Sequence, residues 1–183
     1  MNIYVIRHGQ TDWNLQGLTQ GKTDIPLNET GRAQACETRE LLKDIPLDRV
    51  ISSPLGRALE TAGLATAGRG LPLETDPRLM ERGFGSFEGG PWNALPSEQL
   101  WGLDGESGIG GAEPLEALLD RVYACLREII RRCPGENVLL VTHGGTCRAI
   151  ESFFHQENAA AVLREFRIAN AQIRHYETEQ LPD

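Results

Sequence analysis

Asn137 to Thr142 (NVLLVT) holds four consecutive apolar residues between polar ends. Side chains alternate between the two faces of a strand, so a strand that is apolar at every interior position must be covered on both faces. That is the condition of a parallel sheet packed between helices. Asn2 to Ile6 (NIYVI) and Arg49 to Ser52 (RVIS) read as two further strands, the first ending in a turn at Gly9. Leu73 to Met80 reads as a third extended segment, and Phe166 to Tyr176 as strands at a sheet edge.

Helical signatures lie between these runs. Gly31 to Lys43 is rich in helix formers, has Thr30 as its N-cap and stops before Pro46. Leu55 to Ala67 follows Pro54, a residue favoured in a first helical turn. Leu115, Leu118, Leu119, Val122, Leu126, Ile129 and Ile130 recur at three- and four-residue spacing, which predicts an amphipathic helix. Pro114 opens it, Glu113 and Glu116 suit its positive end, Arg131 and Arg132 suit its negative end, and Pro134-Gly135 closes it. A last helix runs from His143-Gly144-Gly145 to Phe154. Strands alternating with helices predict an α/β layer fold with a mainly parallel sheet. Glu81 to Gly111 gathers many glycines with Pro91 and Pro96, and predicts loop with one short helix around Trp92 to Trp101. No repeat or linker divides the chain, so residues 1–183 are expected to form one domain with a short glycine-rich cap around 82–112.

Eighteen Lys and Arg against 26 Asp and Glu leave a net charge of −8, with no basic run. An acidic surface repels nucleic acid and anionic membrane, while a small anionic substrate stays possible where positive groups gather locally. Cys36, Cys125, Cys133 and Cys147 form no C-x-x-C pair and sit in apolar or helical patterns, which reads as small core residues in a reducing compartment. No apolar run approaches the roughly 18–20 residues of a membrane span. Met1 to Ile6 has no basic leader and passes straight into Arg7-His8-Gly9, so a cytoplasmic location is expected.

Two of the strands end alike, in Arg7-His8-Gly9 and in Thr142-His143-Gly144-Gly145. Parallel strands present their C-terminal ends on one edge, where open α/β folds bind ligands. Both histidines are therefore expected at one crevice, with Arg57 reaching it from the helix after Arg49 to Ser52. Two guanidinium forks, two imidazoles and an amide such as Asn14 make a site for a phosphate dianion. The glycines would let backbone N–H groups approach its oxygens, and a helix starting near Gly144 would add its positive end. Neutral imidazole can attack phosphorus and be regenerated. Glu81, at the start of the glycine-rich loop, is the best placed carboxylate to protonate a leaving oxygen, though a solvated loop acid fits its position equally well.

Arg7-His8-Gly9-Gln10-Thr11-x-Trp13-Asn14 resembles the opening motif of the histidine phosphatase (phosphoglycerate mutase-like) superfamily. Gln20-Gly21-x-x-Asp24-x-Pro26-Leu27, Gly31-x-x-Gln34-Ala35, Ser52-Ser53-Pro54-Leu55-x-Arg57-Ala58-x-x-Thr61-Ala62, Leu79-x-Glu81-x-x-Phe84-Gly85-x-x-Glu88-Gly89 and Val141-Thr142-His143-Gly144-Gly145 follow in the family's order. The resemblance implies a three-layer α/β sandwich and metal-independent phosphotransfer through a phosphohistidine, with no cofactor. Carried over by position, His8 resembles the nucleophile, Glu81 the proton donor, and Arg7, Arg57 and His143 the phosphate-charge stabilisers. Asn14 resembles a phosphate contact, and Gln20-Gly21 stands where a substrate contact is found.

The chain departs from the glycolytic mutases in the short segment between Glu81 and His143, which would leave the site open to water and favour hydrolysis. Gly110-Gly111-Ala112-Glu113 also replaces the more usual Gly-Gly-Glu-Ser. The expected activity is hydrolysis of a small phosphomonoester. A phosphoglycerate mutase-type transfer and a non-catalytic phospholigand-binding module are its rivals, and a monomer or homodimer is open. Gln16 to Thr23 nearly spells a P-loop, but its first position is Gln, no strand precedes it, and Asp24-Ile25-Pro26 cannot continue a helix. No metal-ligand spacing is visible. His155 and His175 read as surface or edge residues, and Trp92 and Trp101 as the packing face of a short cap helix rather than a pocket wall.

Overall fold

The computed structural model describes residues 1–102 and 108–178. Five strands, β1 (Asn2–Arg7), β2 (Arg49–Ser52), β3 (Leu73–Thr75), β4 (Asn137–Thr142) and β5 (Ile173–Glu177), form one sheet in the order β3-β2-β4-β1-β5. The first four are mutually parallel, and β5 closes the edge antiparallel to β1. The apolar central strands behave as the covered-sheet argument requires. Ile3, Val5, Val138 and Leu140 pack on one side against α5 (Leu115–Arg132) and α6 (Gly144–Phe154). Ile6, Leu139 and Val141 pack on the other, against α2 (Glu29–Leu42) and α3 (Gly56–Ala65). The three layers of the expected sandwich are present.

β1 pairs with β4 in a register that sets Arg7 opposite Thr142. The next residue on each strand is a histidine, so the register alone delivers His8 and His143 to the same point above the sheet. Two glycines let the loop after β1 lie close to α2. A Cβ on Gly9 would strike the Gly31 carbonyl, and one on Gly31 would strike the Gln10 carbonyl.

Several local expectations are corrected. The N-cap of α2 is Asn28, whose side chain accepts the Gly31 N–H at 2.9 Å, not Thr30, which lies inside the helix. The extended segment from Leu73 stops at Thr75, because Asp76 caps a tight turn at Pro77–Leu79 and accepts the Arg78 N–H. Only Ile173–Glu177 of the tail is a strand. The short helix expected over Trp92 to Trp101 is broken by Pro96 into a turn at Trp92–Ala94 and α4 (Ser97–Trp101). Two short helices, α1 (Asp12–Leu15) and α7 (Ala159–Glu165), had no sequence expectation. Residues 103–107 of the expected cap lie outside the described residues. All four cysteines are free thiols, and Cys125, Cys133 and Cys147 are buried. No helix among the described residues is long and apolar enough to cross a membrane.

Candidate active site

A cavity of about 550 Å³ opens over the C-terminal ends of β1 and β4. Arg7, His8, Asn14, Gln20, Gly21, Arg57, Glu81 and Gly144 all line it; of the three residues named by the strand-end argument, His8 and Arg57 are in the wall and His143 is not. His143 stands behind the wall, fully buried, with its ring centroid 5.1 Å from that of His8 and the planes inclined by 56°.

The His8 ring is oriented by its own backbone. Nδ1 lies 2.7 Å from the Gly9 carbonyl, which can only accept, so Nδ1 carries the proton and Nε2 keeps its lone pair. His143 Nε2 lies 2.7 Å from Ser53 Oγ, and that hydroxyl already accepts the Leu55 N–H at 3.3 Å. We assign the Ser53 proton to this bond, which puts the imidazole proton on Nδ1. Burial, then the charges of Arg57 and Arg7, hold His8 well below the ordinary histidine value. Burial, then Arg57, His8 and Arg7, do the same to His143. Both rings are therefore neutral at neutral pH.

The arginines are held by carbonyls that leave part of each guanidinium free. Arg7 Nη1 donates to Ile168 O at 2.7 Å; Arg57 Nη2 donates to Gly21 O and Nη1 to Thr23 O, each at 2.8 Å. The false P-loop thus offers Arg57 its carbonyls. Arg7 Nε, Arg57 Nε, His143 Nδ1 and Gln20 Oε1 are buried without a partner among the described residues. Gln20 Oε1 is an acceptor, but the other three are donors; unpaired buried donors are costly, so these three around one crevice suit an acceptor-rich ligand. Asn14 Oδ1 is taken by the Thr11 N–H and by Asn170 Nδ2, both at 3.1 Å, which leaves the Asn14 amide N–H groups for the cavity.

The backbone amides are used differently from the expectation. The Gly9 N–H donates to Thr61 Oγ1 of α3 at 3.0 Å, so it is spent inside the fold and not on a ligand. The N-terminal amides of α6 hold Glu81: Gly145 N–H donates to Oε2 at 3.0 Å and Thr146 N–H to Oε1 at 3.1 Å. Glu81 is thus a buried wall residue seated on a helix N-terminus, not a solvated loop acid. Gly145 has no Cβ because the Glu81 carboxylate and Trp101 press against it.

Residues outside the sequence expectation complete the site. Arg121 Nη1 donates to the Arg78 and Met80 carbonyls at 2.6 and 2.9 Å, and Nη2 to the Glu81 carbonyl at 3.2 Å. Glu113 grips the same guanidinium from Nε at 2.6 Å and Nη2 at 3.0 Å, and accepts the Gly83 N–H. The signal was faint: an arginine at three-residue spacing from Leu118 on the flank of the apolar stripe. Asn170 Nδ2 also donates to His8 O at 2.9 Å, and nothing in the sequence pointed to it. Trp92 and Trp101 both line the cavity, against their reading as mere packing. His155 and His175 are exposed and away from it, as expected.

A family model described as the histidine phosphatase superfamily (branch 1) matches residues 3–180. The chain belongs to the histidine phosphatase superfamily. Within it, the chain is 39% identical over 148 residues to an uncharacterized phosphatase, PhoE, of Bacillus subtilis, covering 81% of this chain and 74% of that one. It is 32% identical to a probable phosphoglycerate mutase, GpmB, of Yersinia pestis, covering 100% of this chain and 87% of the relative. The solved alpha-ribazole phosphatase from Shigella flexneri superposes with a TM-score of 0.84 at 27% identity, covering 98% of this chain and 92% of that structure. The fold is that of the phosphoglycerate mutase-like phosphatases, and the superfamily's members here are phosphatases and mutases.

Proposed function

We propose that the protein hydrolyses a small phosphomonoester in two in-line displacements. The observation that carries this reading is the His8 ring itself: neutral, its Nδ1 proton spent on Gly9 O, and its Nε2 lone pair facing a crevice walled by Arg7 and Arg57. In the first step Nε2 attacks phosphorus, the P–O bond to the alcohol breaks, and Glu81 gives the leaving oxygen a proton. In the second, Glu81 takes a proton from water, the hydroxide attacks phosphorus, and the P–N bond breaks to release phosphate and restore His8.

Arg7 Nε, Arg57 Nε and the Nδ1–H of His143 are donors held in place before any ligand arrives, and they stabilise charge that spreads over the phosphoryl oxygens. Asn14 donates from its free amide, and Gln20, Gly21 and Gly144 shape the wall. Every step uses side chains of this chain, with neither metal nor cofactor.

The relative named as a probable mutase favours a second reading, in which the same phosphoenzyme returns its phosphoryl group to a bound product. One experiment separates the two: purified protein with EDTA is given a panel of phosphomonoesters and phosphoglycerate. Release of inorganic phosphate supports the hydrolase, and isomerised phosphoglycerate with its phosphate retained supports the mutase.

A further inference from the structure

Glu88 stands outside the cavity wall and takes no part in the proposed steps, yet its carboxylate is fully engaged. Oε1 accepts the Lys22 and Phe84 N–H groups, both at 3.0 Å. Oε2 accepts the Thr23 N–H at 3.1 Å and the Thr23 hydroxyl at 2.6 Å. Burial works against the charge, but these hydrogen bonds outweigh it and hold the carboxyl below its usual range. Glu88 is thus an ionised bridge between the glycine-rich cap and loop 20–24. The bridge is close: a Cβ on Gly21 would fall inside the carboxylate, and the Gly21 φ of 55° is itself one that glycine adopts freely.

The same loop seats Arg57, whose Nη2 donates to the Gly21 carbonyl and Nη1 to the Thr23 carbonyl. The Gly21 carbonyl and the Lys22 N–H belong to one planar peptide group. Glu88 therefore grips one side of the group whose other side holds Arg57. A guanidinium is planar and rigid, so the placing of its two carbonyls decides where its remaining Nε–H points. That Nε has no partner in the fold. Residues 22–24 are exposed, and their other polar ties among the described residues are slighter. The Thr23 N–H reaches Gln20 O within the loop, and Lys22 pairs with Glu113 at 3.8 Å. Asp24 accepts the Gly56 N–H at 2.7 Å and faces Arg57 Nη1 at 3.4 Å, but it touches neither carbonyl.

We propose that Glu88 is a positioning residue for phosphate binding: it fixes the Gly21 and Thr23 carbonyls, and through them directs the Arg57 Nε–H at the phosphoryl oxygens. The role deepens the phosphomonoesterase reading and rests on it for what Arg57 does.

Glu88→Gln tests it, because the new amide sets a donor against donors that the carboxylate accepts. Calorimetry with inorganic phosphate should show binding weakened about tenfold, and kcat/KM should fall about tenfold on alkyl phosphates and on 4-nitrophenyl phosphate alike. A disturbance routed through Glu81 would instead spare the good leaving group. A double-mutant cycle gives the readout that a general loosening would not move. In Arg57→Lys, whose amine cannot span both carbonyls, adding Glu88→Gln should cost less than about twofold more in either measurement. Thr23→Val, at an exposed position, removes only the hydroxyl bond to Glu88 and repeats the cycle with a loss of about threefold if Glu88→Gln does not fold. Unchanged phosphate binding in a folded Glu88→Gln, or the same loss with and without Arg57→Lys, overturns the positioning role. If the parent protein binds phosphate but releases none from any phosphomonoester, the phosphatase reading falls, and the binding cycle still decides the role of Glu88.

Discussion

The rings of His8 and His143 face each other at 5.1 Å, both buried, with the cations Arg7 and Arg57 beside them. The fold therefore refuses protons that the unfolded chain accepts near the ordinary histidine value of about 6.5. Above that value neither state binds them and the pair contributes no pH dependence. Below it the unfolded state gains protons first, so stability falls as pH falls, by up to about 1.4 kcal/mol per pH unit for each ring. Urea unfolding between pH 7.5 and 5.5 should show this slope, and His143→Gln should flatten it. Parallel slopes in the two proteins would contradict the neutral pair.

Glu81 is proposed to protonate the leaving oxygen, so its worth depends on how much help that oxygen needs. Glu81→Gln should reduce kcat on alkyl phosphates by roughly 10²- to 10⁴-fold, the usual value of a positioned general acid. On 4-nitrophenyl phosphate, whose leaving group departs without a proton, the loss of the first step should be far smaller. Equal losses of kcat/KM on both substrates, a quantity that excludes the later water step, would remove the acid role.

Arg121 is a positioning residue, for it holds the carbonyls of Arg78, Met80 and Glu81 in one guanidinium fork. A lysine keeps the charge but cannot span those acceptors together. Arg121→Lys should therefore lower kcat on alkyl phosphates by about tenfold or more with little change in KM, and should lower the first-step rate on 4-nitrophenyl phosphate far less. An unchanged kcat in a folded Arg121→Lys would show that Glu81 is held by α6 alone.

Gly31 sits inside α2, where alanine would ordinarily gain about 1 kcal/mol from helix propensity. A Cβ there meets the Gln10 carbonyl, and backbone cannot step aside as a side chain can. Gly31→Ala should lower stability by roughly 1–3 kcal/mol, the range for an overpacked contact, and disturb the loop that carries His8. A stabilised variant in thermal melts would refute the close approach.

The strands, the long amphipathic helix and the meeting of His8, His143 and Arg57 were legible because each follows from local pattern plus one rule of parallel sheets. What was not legible depends on contacts made across the chain. The backbone at Gly9 looked free for a ligand until α3 brought Thr61 and α2 brought Gly31 against it. The N-terminus of α6 looked like a ligand site, but its N–H groups are taken by the Glu81 carboxyl oxygens. Arg121 and Asn170 act on carbonyls far away in sequence, which no spacing reveals. Phe166 to Tyr176 read as strands at a sheet edge, yet only β5 finds a partner edge on β1.

The claim on which the rest depends is that His8 carries the phosphoryl group between the two steps. A dinitrophenyl phosphate should make the first step fast and let the phosphoenzyme accumulate. Rapid quenching into alkali, followed by peptide mapping, should then find close to one acid-labile phosphoryl group per chain, on His8. An actively turning-over sample with no protein-bound phosphate, or with the phosphate on another residue, would contradict the account.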